Sequence, residues 1–301
     1  MEVSNADRIV FPEDGITKGE VVAYYEAVAD RMMPFVGERA LTVERFPRGT
    51  GAKGFMQKNA PDHFSDDLID RHEVPKEDGG TTVYPVAKGP ATIPAFANLG
   101  VITFHVPPTT VGDDEHSDWI IWDLDPSSGD FDMARRAAHS LRDVLESFGI
   151  ETVVMTSGSN GYHLRTQLEP AIPVHEAAAI ARGTAALGVA ANPDLMTLAF
   201  RKKEREERVF VDWLRNASYS TSVVPWSIRA RPGAPVAVPI GWDELDDVDP
   251  NGIRMQGVSS RLDIDPWHDH DPLDLPGTAE EVASALDEAG IALEPFDRFR
   301  T

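Results

Sequence analysis

Two periods of apolar residues along this chain predict its secondary structure. Apolar positions three or four residues apart predict a helix from Thr17 to Met33, which begins with the capping box Thr17-Lys18-Gly19-Glu20 and ends before Pro34. The same period predicts helices over residues 130–148, 175–187 and 278–290, the last capped by Thr278. Short apolar runs predict strands at Leu41–Phe46, Thr82–Ala87, Val101–Val106, Trp119–Trp122, Thr152–Thr156, Tyr162–Gln167 and Arg208–Trp213.

This order of elements predicts the fold class. Strands that alternate with helices and are followed by hairpins are typical of a mixed α/β fold. A chain of 301 residues can bury a substantial core, as one large domain or two small ones. We expect one domain with an N-terminal module over about 1–115, a catalytic module over 116–260, and a C-terminal loop and helix over 261–301.

Acidic residues stand at the ends of two predicted strands. Asp123 and Asp125 follow Trp119–Trp122, and because strand side chains alternate, both project to one face while Leu124 projects to the other. Asp212 ends a later apolar run in the same way. Three converging carboxylates are suitable ligands for one or two divalent cations, and a pair of such ions clamps the attacking and leaving oxygens of a phosphoryl transfer.

A turn of small residues lies between these strands. It runs from Thr156 to Gly161 and is followed by Tyr162 and His163. Its backbone N–H groups, together with the side chains of Ser157 and His163, are suited to hold a triphosphate. Combined with the carboxylates, the turn favours a nucleotidyltransferase.

Each of these features has a plainer interpretation when it is taken alone. A D-x-D sequence before Pro126 is often a turn or a helix cap, and a lone Asp in a strand is often a buried hydrogen-bond acceptor. The sequence S-G-S-N-G is an ordinary hairpin loop, and a histidine beside it is more often structural than catalytic. Their order, with each one beside an apolar strand, favours a metal site.

Composition limits the cellular setting and the possible partners. The chain has no Cys, so a disulfide framework and a thiolate metal site are excluded. No apolar stretch approaches the length of a membrane span and no signal peptide is evident, so we expect a cytoplasmic protein without a membrane partner. The net charge of −22 argues against indiscriminate nucleic-acid binding, although the basic residues are locally clustered.

Motifs in a fixed order give the chain a resemblance to the polymerase domain of bacterial DNA ligase D, within the archaeo-eukaryotic primase superfamily. The resemblance covers nearly the whole length and implies a primase-like catalytic core with an N-terminal α/β module packed against it. The matching segments are Asn5-Ala6-Asp7-Arg8 with Phe11-Pro12, Gly15-Ile16-Thr17-Lys18-Gly19 with Tyr24-Tyr25, Gly54-Phe55-Met56-Gln57-Lys58-Asn59-Ala60-Pro61, Asn98-Leu99-Gly100, His105, Asp123-Leu124-Asp125-Pro126, Ser157-Gly158 through His163, Phe210-Val211-Asp212 and Ser227-Ile228-Arg229-Ala230-Arg231-Pro232-Gly233-Ala234-Pro235-Val236.

The resemblance implies a role for each matched position. It implies that two divalent cations, Mn²⁺ or Mg²⁺, are bound by the catalytic carboxylates Asp123, Asp125 and Asp212. It implies that a nucleoside or deoxynucleoside triphosphate is held by His105, Ser157, Gly158, Asn160, His163 and Arg229. It implies that a 5′-phosphate of DNA is recognised by Asn5, Arg8 and Lys18, and that template bases stack on Phe55 and Met56.

The chain also departs from the pattern of the family that it resembles. Asn160 stands where Lys is common, which removes a positive charge near the triphosphate. Met56 replaces a usual Phe, and Arg8 replaces a frequent Lys, which keeps the charge but changes its geometry. Arg215 occupies a position near the nucleotide that Gln often holds in the family. These changes affect substrate preference and 5′-phosphate affinity more than they affect the metal site.

The leading hypothesis is a stand-alone, template-dependent primase-polymerase. By family resemblance it adds nucleotides, preferably ribonucleotides, at gaps or double-strand-break ends during non-homologous end joining. The expected partners are gapped, overhanging or 5′-phosphorylated DNA, a separate ATP-dependent ligase and an end-binding protein, and the expected location is the nucleoid of a prokaryote. One alternative is a non-catalytic module that binds 5′-phosphorylated ends. A D-x-D phosphohydrolase is a weaker alternative because it leaves Asp212 and Arg229 without a role.

Overall fold

The computed structural model describes residues 2–76 and 79–294, and the chain divides into two compact units. The first unit comprises Met1–Pro107, Thr221–Val238 and Asn251–Asp265, and the second comprises Pro108–Ser220, Pro239–Pro250 and Pro266–Thr301. Up to residue 107 the elements are β1 (Ile9–Phe11), β2 (Ile16–Thr17), α1 (Lys18–Val36), β3 (Thr42–Arg45), β4 (Phe55–Gln57), β5 (Ile69–Pro75), β6 (Thr81–Ala87), α2 (Thr92–Asn98) and β7 (Val101–Val106).

The elements beyond residue 107 belong mainly to the second unit. They are β8 (Thr109–Thr110), β9 (Asp113–Pro126), α3 (Phe131–Glu146), β10 (Val153–Thr156), β11 (Tyr162–Pro173), α4 (Val174–Ala191), β12 (Met196–Thr197), α5 (Lys202–Arg205), β13 (Val209–Asp212), β14 (Ser222–Val223), β15 (Pro239–Ile240) and α6 (Thr278–Glu288), with 3₁₀ helices at Leu214–Asn216 and Met255–Arg261.

The first unit is built on an antiparallel sheet with the strand order β14-β7-β3-β4. Helix α1 buries Val21, Tyr25 and Val28 in the core of this unit. The hydroxyl of Tyr25, which is fully buried, donates to the carbonyl of Ile102 and accepts the backbone N–H of Ile228 at 3.0 Å. One side chain therefore joins the helix, β7 and a later segment of the chain through buried hydrogen bonds.

Replacing Tyr25 with phenylalanine is expected to lower the free energy of unfolding by roughly 2 kcal/mol, because a buried donor and a buried acceptor lose their partner. Urea denaturation of the wild type and the variant measures the loss. Tyr24→Phe is the matched control, because within the described part of the chain the hydroxyl of Tyr24 bonds one group, the carbonyl of Trp226, at 2.8 Å. An effect of Tyr25→Phe no larger than that of Tyr24→Phe would contradict the prediction.

The second unit is built on a seven-stranded sheet with the order β12-β13-β9-β11-β10-β15, to which β8 adds on β9. All neighbours are antiparallel except β12 and β13. Helices α3 and α4 pack on β9. The indole Nε1 of Trp122 donates to the carbonyl of Ala181 and the hydroxyl of Thr184 in α4, both at 3.1 Å. Because side chains alternate along β9, its neighbours Asp123 and Ile121 project to the opposite face.

Several predicted helix ends are wrong. Helix α1 does not end before Pro34 but continues to Val36, because Val36 is fully buried and the N–H of Gly37 closes the last turn on the carbonyl of Met33 at 2.9 Å. Helix α4 extends one turn beyond the predicted end at residue 187. The N-cap of α6 is Gly277 in a left-handed conformation, so Thr278 is the first helical residue and does not cap the helix through its side chain.

The strands agree more closely with the sequence prediction. β7 has the predicted bounds, and the capping box at Thr17 and Glu20 is present. β9 begins six residues before Trp119, in a polar stretch where the apolar pattern gives no signal. β5 has mostly exposed side chains and was not predicted. The mixed α/β class is confirmed. Among the described residues, no helix combines the length and the apolar character needed to cross a membrane.

Candidate active site

Three neighbouring strands of the second unit align the candidate catalytic side chains. Asp123 on β9 pairs directly with Asp212 on β13 and with His163 on β11. Directly paired residues in a sheet project to the same face, so these three side chains form one row across the strands. Asp125 lies two residues further along β9, on the same face, opposite Phe210. The strands therefore bring the three predicted carboxylates and His163 together.

Ion pairs connect this row to two arginines. Arg215 contacts Asp123 through Nε and Nη2, each 3.2 Å from Oδ2, and its Nη2 lies 3.0 Å from Oδ2 of Asp212. Arg205 donates from Nη1 to Oδ2 of Asp125 at 2.9 Å. The imidazole Nε2 of His163 lies 3.3 Å from Oδ1 of Asp123. The negative charge of the carboxylates is thus locally balanced by guanidinium groups.

Burial and neighbouring charges perturb the pKa of Asp212. Its residue is 7% exposed, and burial raises the pKa of its carboxyl group, an effect that Arg215 opposes and Asp123 reinforces. Its Oδ1 also accepts the N–H of Leu214 at 3.0 Å. For Arg215, burial lowers the pKa of the guanidinium, but the neighbouring carboxylates, led by Asp123 and then Asp212, more than compensate and raise it. The pKa values of Asp212 and Arg215 therefore depend on each other and on the charge of Asp123.

The predicted small-residue turn is the hairpin between β10 and β11. The hydroxyl oxygen of Ser157 accepts the N–H groups of Ser159 and Gly161, both at 3.2 Å, and Gly158 has a left-handed φ of +62°. The turn also lies very close to β9, because a Cβ built on Gly161 would be 1.7 Å from the carbonyl oxygen of Leu124. The absence of a side chain at Gly161 is what allows the turn to approach the carboxylate strand.

Two other residues predicted to bind the nucleotide belong to the first unit. His105 is half-buried on β7, between Thr42 and Val223 of the neighbouring strands. Arg229 is half-buried, and its N–H donates to the carbonyl of Pro235 at 2.8 Å. The role of these two residues in holding a triphosphate stays a prediction.

The predicted 5′-phosphate residues form a small cationic cluster in the first unit. The Nζ of Lys18 donates to the carbonyl of Ser4 at 2.5 Å and to its hydroxyl at 2.7 Å, and Nη1 of Arg8 donates to the carbonyl of Pro47 at 2.6 Å. Burial, followed by the charge of Arg8, lowers the pKa of Lys18. Asn5 is exposed and has a left-handed φ of +51°. Within the described ranges neither cation forms an ion pair, so the cluster is suited to bind an anion.

The residues predicted to stack on template bases lie on an edge strand. Phe55 and Met56 are each 48% exposed on β4, which pairs with β3 at the end of its sheet. The guanidinium of Arg45 lies 5.6 Å from the centre of the Phe55 ring. An exposed aromatic ring beside a cation is suited to stacking with an unpaired base.

Sequence reasoning missed the part that Arg205 plays. The sequence pattern assigns Arg205 no role in the site, but the residue is 6% exposed, and its guanidinium lies 3.9 Å from the ring centre of Phe210. It also donates to the carbonyls of Ala199 and Phe200, both at 3.0 Å. No sequence spacing links Arg205 to Asp125, eighty residues earlier, so only the folded loop reveals the pair.

The carboxylates fit a divalent cation. No preformed group of three or more His, Asp or Glu ligands occurs within residues 2–76 and 79–294. However, one guanidinium nitrogen lies 3.2 Å from Asp123 and 3.0 Å from Asp212, so both carboxylates already converge on one cationic atom. Oxygen donors that converge in this way suit Mg²⁺ or Mn²⁺.

Curated relatives of the chain are end-joining proteins. The multifunctional non-homologous end joining protein LigD of Mycolicibacterium smegmatis is 32% identical over 266 residues, which are 87% of this chain and 35% of that protein. The bifunctional non-homologous end joining protein LigD of Bacillus subtilis is 32% identical over 247 residues, 81% of this chain and 39% of that protein. The chain thus spans little more than a third of the length of these relatives.

A family profile and a solved structure agree with this similarity. The profile of the LigD primase-polymerase domain matches residues 17–267. The polymerase domain of Mycobacterium tuberculosis ligase D, solved in complex with DNA, superposes with a TM-score of 0.80 at 30% identity, covering 88% of this chain and 95% of that one. The chain therefore belongs to the family of LigD primase-polymerase domains, which are nucleotidyltransferases.

Proposed function

We propose that this chain is a template-dependent primase-polymerase that adds nucleotides, preferably ribonucleotides, at gaps and double-strand-break ends during non-homologous end joining. The observation that carries the proposal is the row of Asp212, Asp123 and His163 across three strands, with Asp125 beside it. The names of the LigD relatives and the DNA complex of the M. tuberculosis domain support the same repair process and a DNA substrate.

In the proposed reaction the 3′-hydroxyl of a primer attacks the α-phosphorus of a nucleoside triphosphate, and the bond to the departing pyrophosphate breaks. Asp123, Asp125 and Asp212 would hold two divalent cations, Mn²⁺ or Mg²⁺, which would supply charge neutralisation and polarisation of the phosphate oxygens. The carboxylates point to one face, so the primer and the triphosphate meet on that side of the sheet. His163, in hydrogen-bonding reach of Asp123, orients this carboxylate.

Other residues bind and orient the substrates. The hairpin of Ser157, Gly158 and Asn160 lies beside the carboxylate strand and supplies backbone N–H groups to the triphosphate. At the DNA end, Asn5, Arg8 and Lys18 bind the downstream 5′-phosphate, and Phe55 and Met56 stack on template bases. A DNA ligase activity and an end-binding protein complete the repair.

Primer extension tests this proposal. A labelled primer on a gapped duplex is incubated with Mn²⁺ and either ribonucleotides or deoxyribonucleotides, with a 5′-phosphate or a 5′-hydroxyl on the downstream strand. We expect templated extension, faster with ribonucleotides and faster when the 5′-phosphate is present. Extension that ignores the template would contradict the proposal, as would a complete failure to extend.

The arginine contacts favour a second function, a non-catalytic module that binds 5′-phosphorylated DNA ends. Each of the three carboxylates already has an arginine partner, Arg205 or Arg215, as expected where acidic groups have a structural role. In that case the protein binds the gapped duplex tightly and selects the 5′-phosphate, but extends no primer. The extension assay, run beside a binding titration, separates the two functions.

Removing Arg8 is expected to weaken binding to a 5′-phosphorylated gap by roughly tenfold or more, because a charge-assisted hydrogen bond contributes about 1.5–3 kcal/mol. Fluorescence anisotropy with phosphorylated and unphosphorylated duplexes measures the difference for Arg8→Ala. The control Lys88→Ala removes one positive charge at an exposed site paired with Asp70. Equal weakening on both duplexes would show that Arg8 contributes general charge and does not recognise the phosphate.

A further inference from the structure

The position of Arg215 relative to two carboxylates suggests a role in metal loading. Its Nη2 lies 3.2 Å from Oδ2 of Asp123 and 3.0 Å from Oδ2 of Asp212, so a single nitrogen bridges the two strands. A divalent cation shared by these oxygens would lie about 2.0–2.1 Å from each. Because the guanidinium nitrogen fills the space between the same two atoms, the cation and the bridging arginine exclude each other.

The backbone on both sides of Arg215 is anchored, whereas its side chain can leave. The N–H of Leu214 donates to Asp212 at 3.0 Å, and the side chain of Asn216 binds both the N–H and the carbonyl of Ile121 at 2.8 Å. The side chain of Arg215 is 37% exposed, which gives it a route into solvent by rotation about its own bonds. The exchange of arginine for metal therefore needs no movement of the strands.

Arg205, the other arginine of the site, is too buried and too firmly held for such an exchange. Its side chain is 7% exposed and contacts a single carboxylate, Asp125. Two backbone carbonyls and the ring of Phe210 hold its guanidinium in addition. Displacing Arg205 would leave these two carbonyls without their guanidinium donor.

We propose that Arg215 is a tethered counter-ion that competes with the divalent metal for Asp123 and Asp212, so that metal loading is an exchange reaction. This inference rests on the metal site of the proposed function. Without metal, Arg215 offsets the repulsion between two facing carboxylates and keeps the strands paired. When metal binds, the guanidinium is displaced. The free energy needed to break its contacts with the two carboxylates lowers the apparent affinity of the site for the cation. Arg215 is thus a positioning residue that sets the metal concentration at which the site is filled.

Mn²⁺ titration of the full chain without DNA or nucleotide tests the proposal, with free Mn²⁺ followed by electron paramagnetic resonance. We expect Arg215→Gln to bind Mn²⁺ about tenfold more tightly than the wild type, because the competitor is gone. Arg215→Lys keeps a positive charge and is expected to remain close to the wild type. Arg201→Gln removes an exposed charge elsewhere in the same unit and is expected to leave the affinity unchanged.

The outcomes separate this inference from the proposed function. If the wild type binds Mn²⁺ and Arg215→Gln binds it with equal or lower affinity, the counter-ion role is wrong and the metal site remains. If neither protein binds Mn²⁺, both proposals are overturned, because removing the competitor has uncovered no site.

A second measurement uses the wild type and does not depend on the folding of a variant. The Nε–H of Arg215 is bonded to Asp123, so its exchange with water, followed by nitrogen-detected NMR, is expected to accelerate when Mg²⁺ is added. Exchange that is unchanged at saturating Mg²⁺ would overturn the proposed displacement.

Discussion

Asp212→Asn is expected to reduce primer extension by a factor on the order of 10³ or more while leaving the fold intact. Asparagine has nearly the same shape, but it removes one negative charge from the row that holds the cations, which costs several kcal/mol of transition-state stabilisation. Burial already raises the pKa of Asp212, so replacing a buried carboxylate by a neutral amide is expected to have little effect on stability. Single-turnover extension with Mn²⁺ measures the loss.

Asp194→Asn is the matched control for Asp212→Asn, because it removes an exposed carboxylate of the same unit and should retain full activity. Both variants should bind the gapped duplex as tightly as the wild type. An Asp212→Asn protein with more than a tenth of the wild-type rate would contradict the catalytic role of Asp212.

Gly161→Ala is expected to destabilise the protein by about 3 kcal/mol, through steric overlap with the backbone. The added Cβ would lie 1.7 Å from the carbonyl oxygen and 2.9 Å from the carbonyl carbon of Leu124, and neither can yield without separating β9 from β11. The same two strands carry Asp123 and His163, so activity should fall together with stability. Urea denaturation followed by circular dichroism measures the change.

Gly257→Ala provides the comparison for this steric effect. Gly257 is exposed, and an added Cβ would meet no atom within 4 Å, so its denaturation midpoint should match that of the wild type. A Gly161→Ala protein that denatures at the same urea concentration as Gly257→Ala would show that the hairpin does not need its close approach to β9.

Much of the fold could be predicted from local pattern. The apolar runs located β7, β10 and β13 to within a residue or two, because a buried strand requires consecutive apolar side chains. The pattern failed for β5, whose side chains are mostly exposed, and for the end of α1, where burial of Val36 outweighs the presence of Pro34. Pairing with β6 determines β5, and the burial of Val36 determines the end of α1. Neither cause is visible in the local sequence.

The candidate site was predictable in its acidic half. Alternation along β9 places Asp123 and Asp125 on one face, and the apolar run before Asp212 places that residue at a strand end. Sequence reasoning gave no partner for Arg205 and associated Arg215 with the nucleotide, whereas the structure pairs each arginine with carboxylates. The Arg205–Asp125 and Arg215–Asp123 pairs span eighty residues or more, a distance over which local periodicity carries no information.

The sequence by itself therefore determined the apolar patterns behind the mixed α/β class and the positions of the candidate carboxylates, because each depends on neighbours within a few residues. The order of motifs along the chain is likewise a property of the sequence alone. Only the tertiary structure decided that β13 pairs with β9 so that Asp212 faces Asp123, and that Arg215 bridges the two. Strand register and ion pairing depend on which distant segments meet, and burial of the whole sheet selects that arrangement.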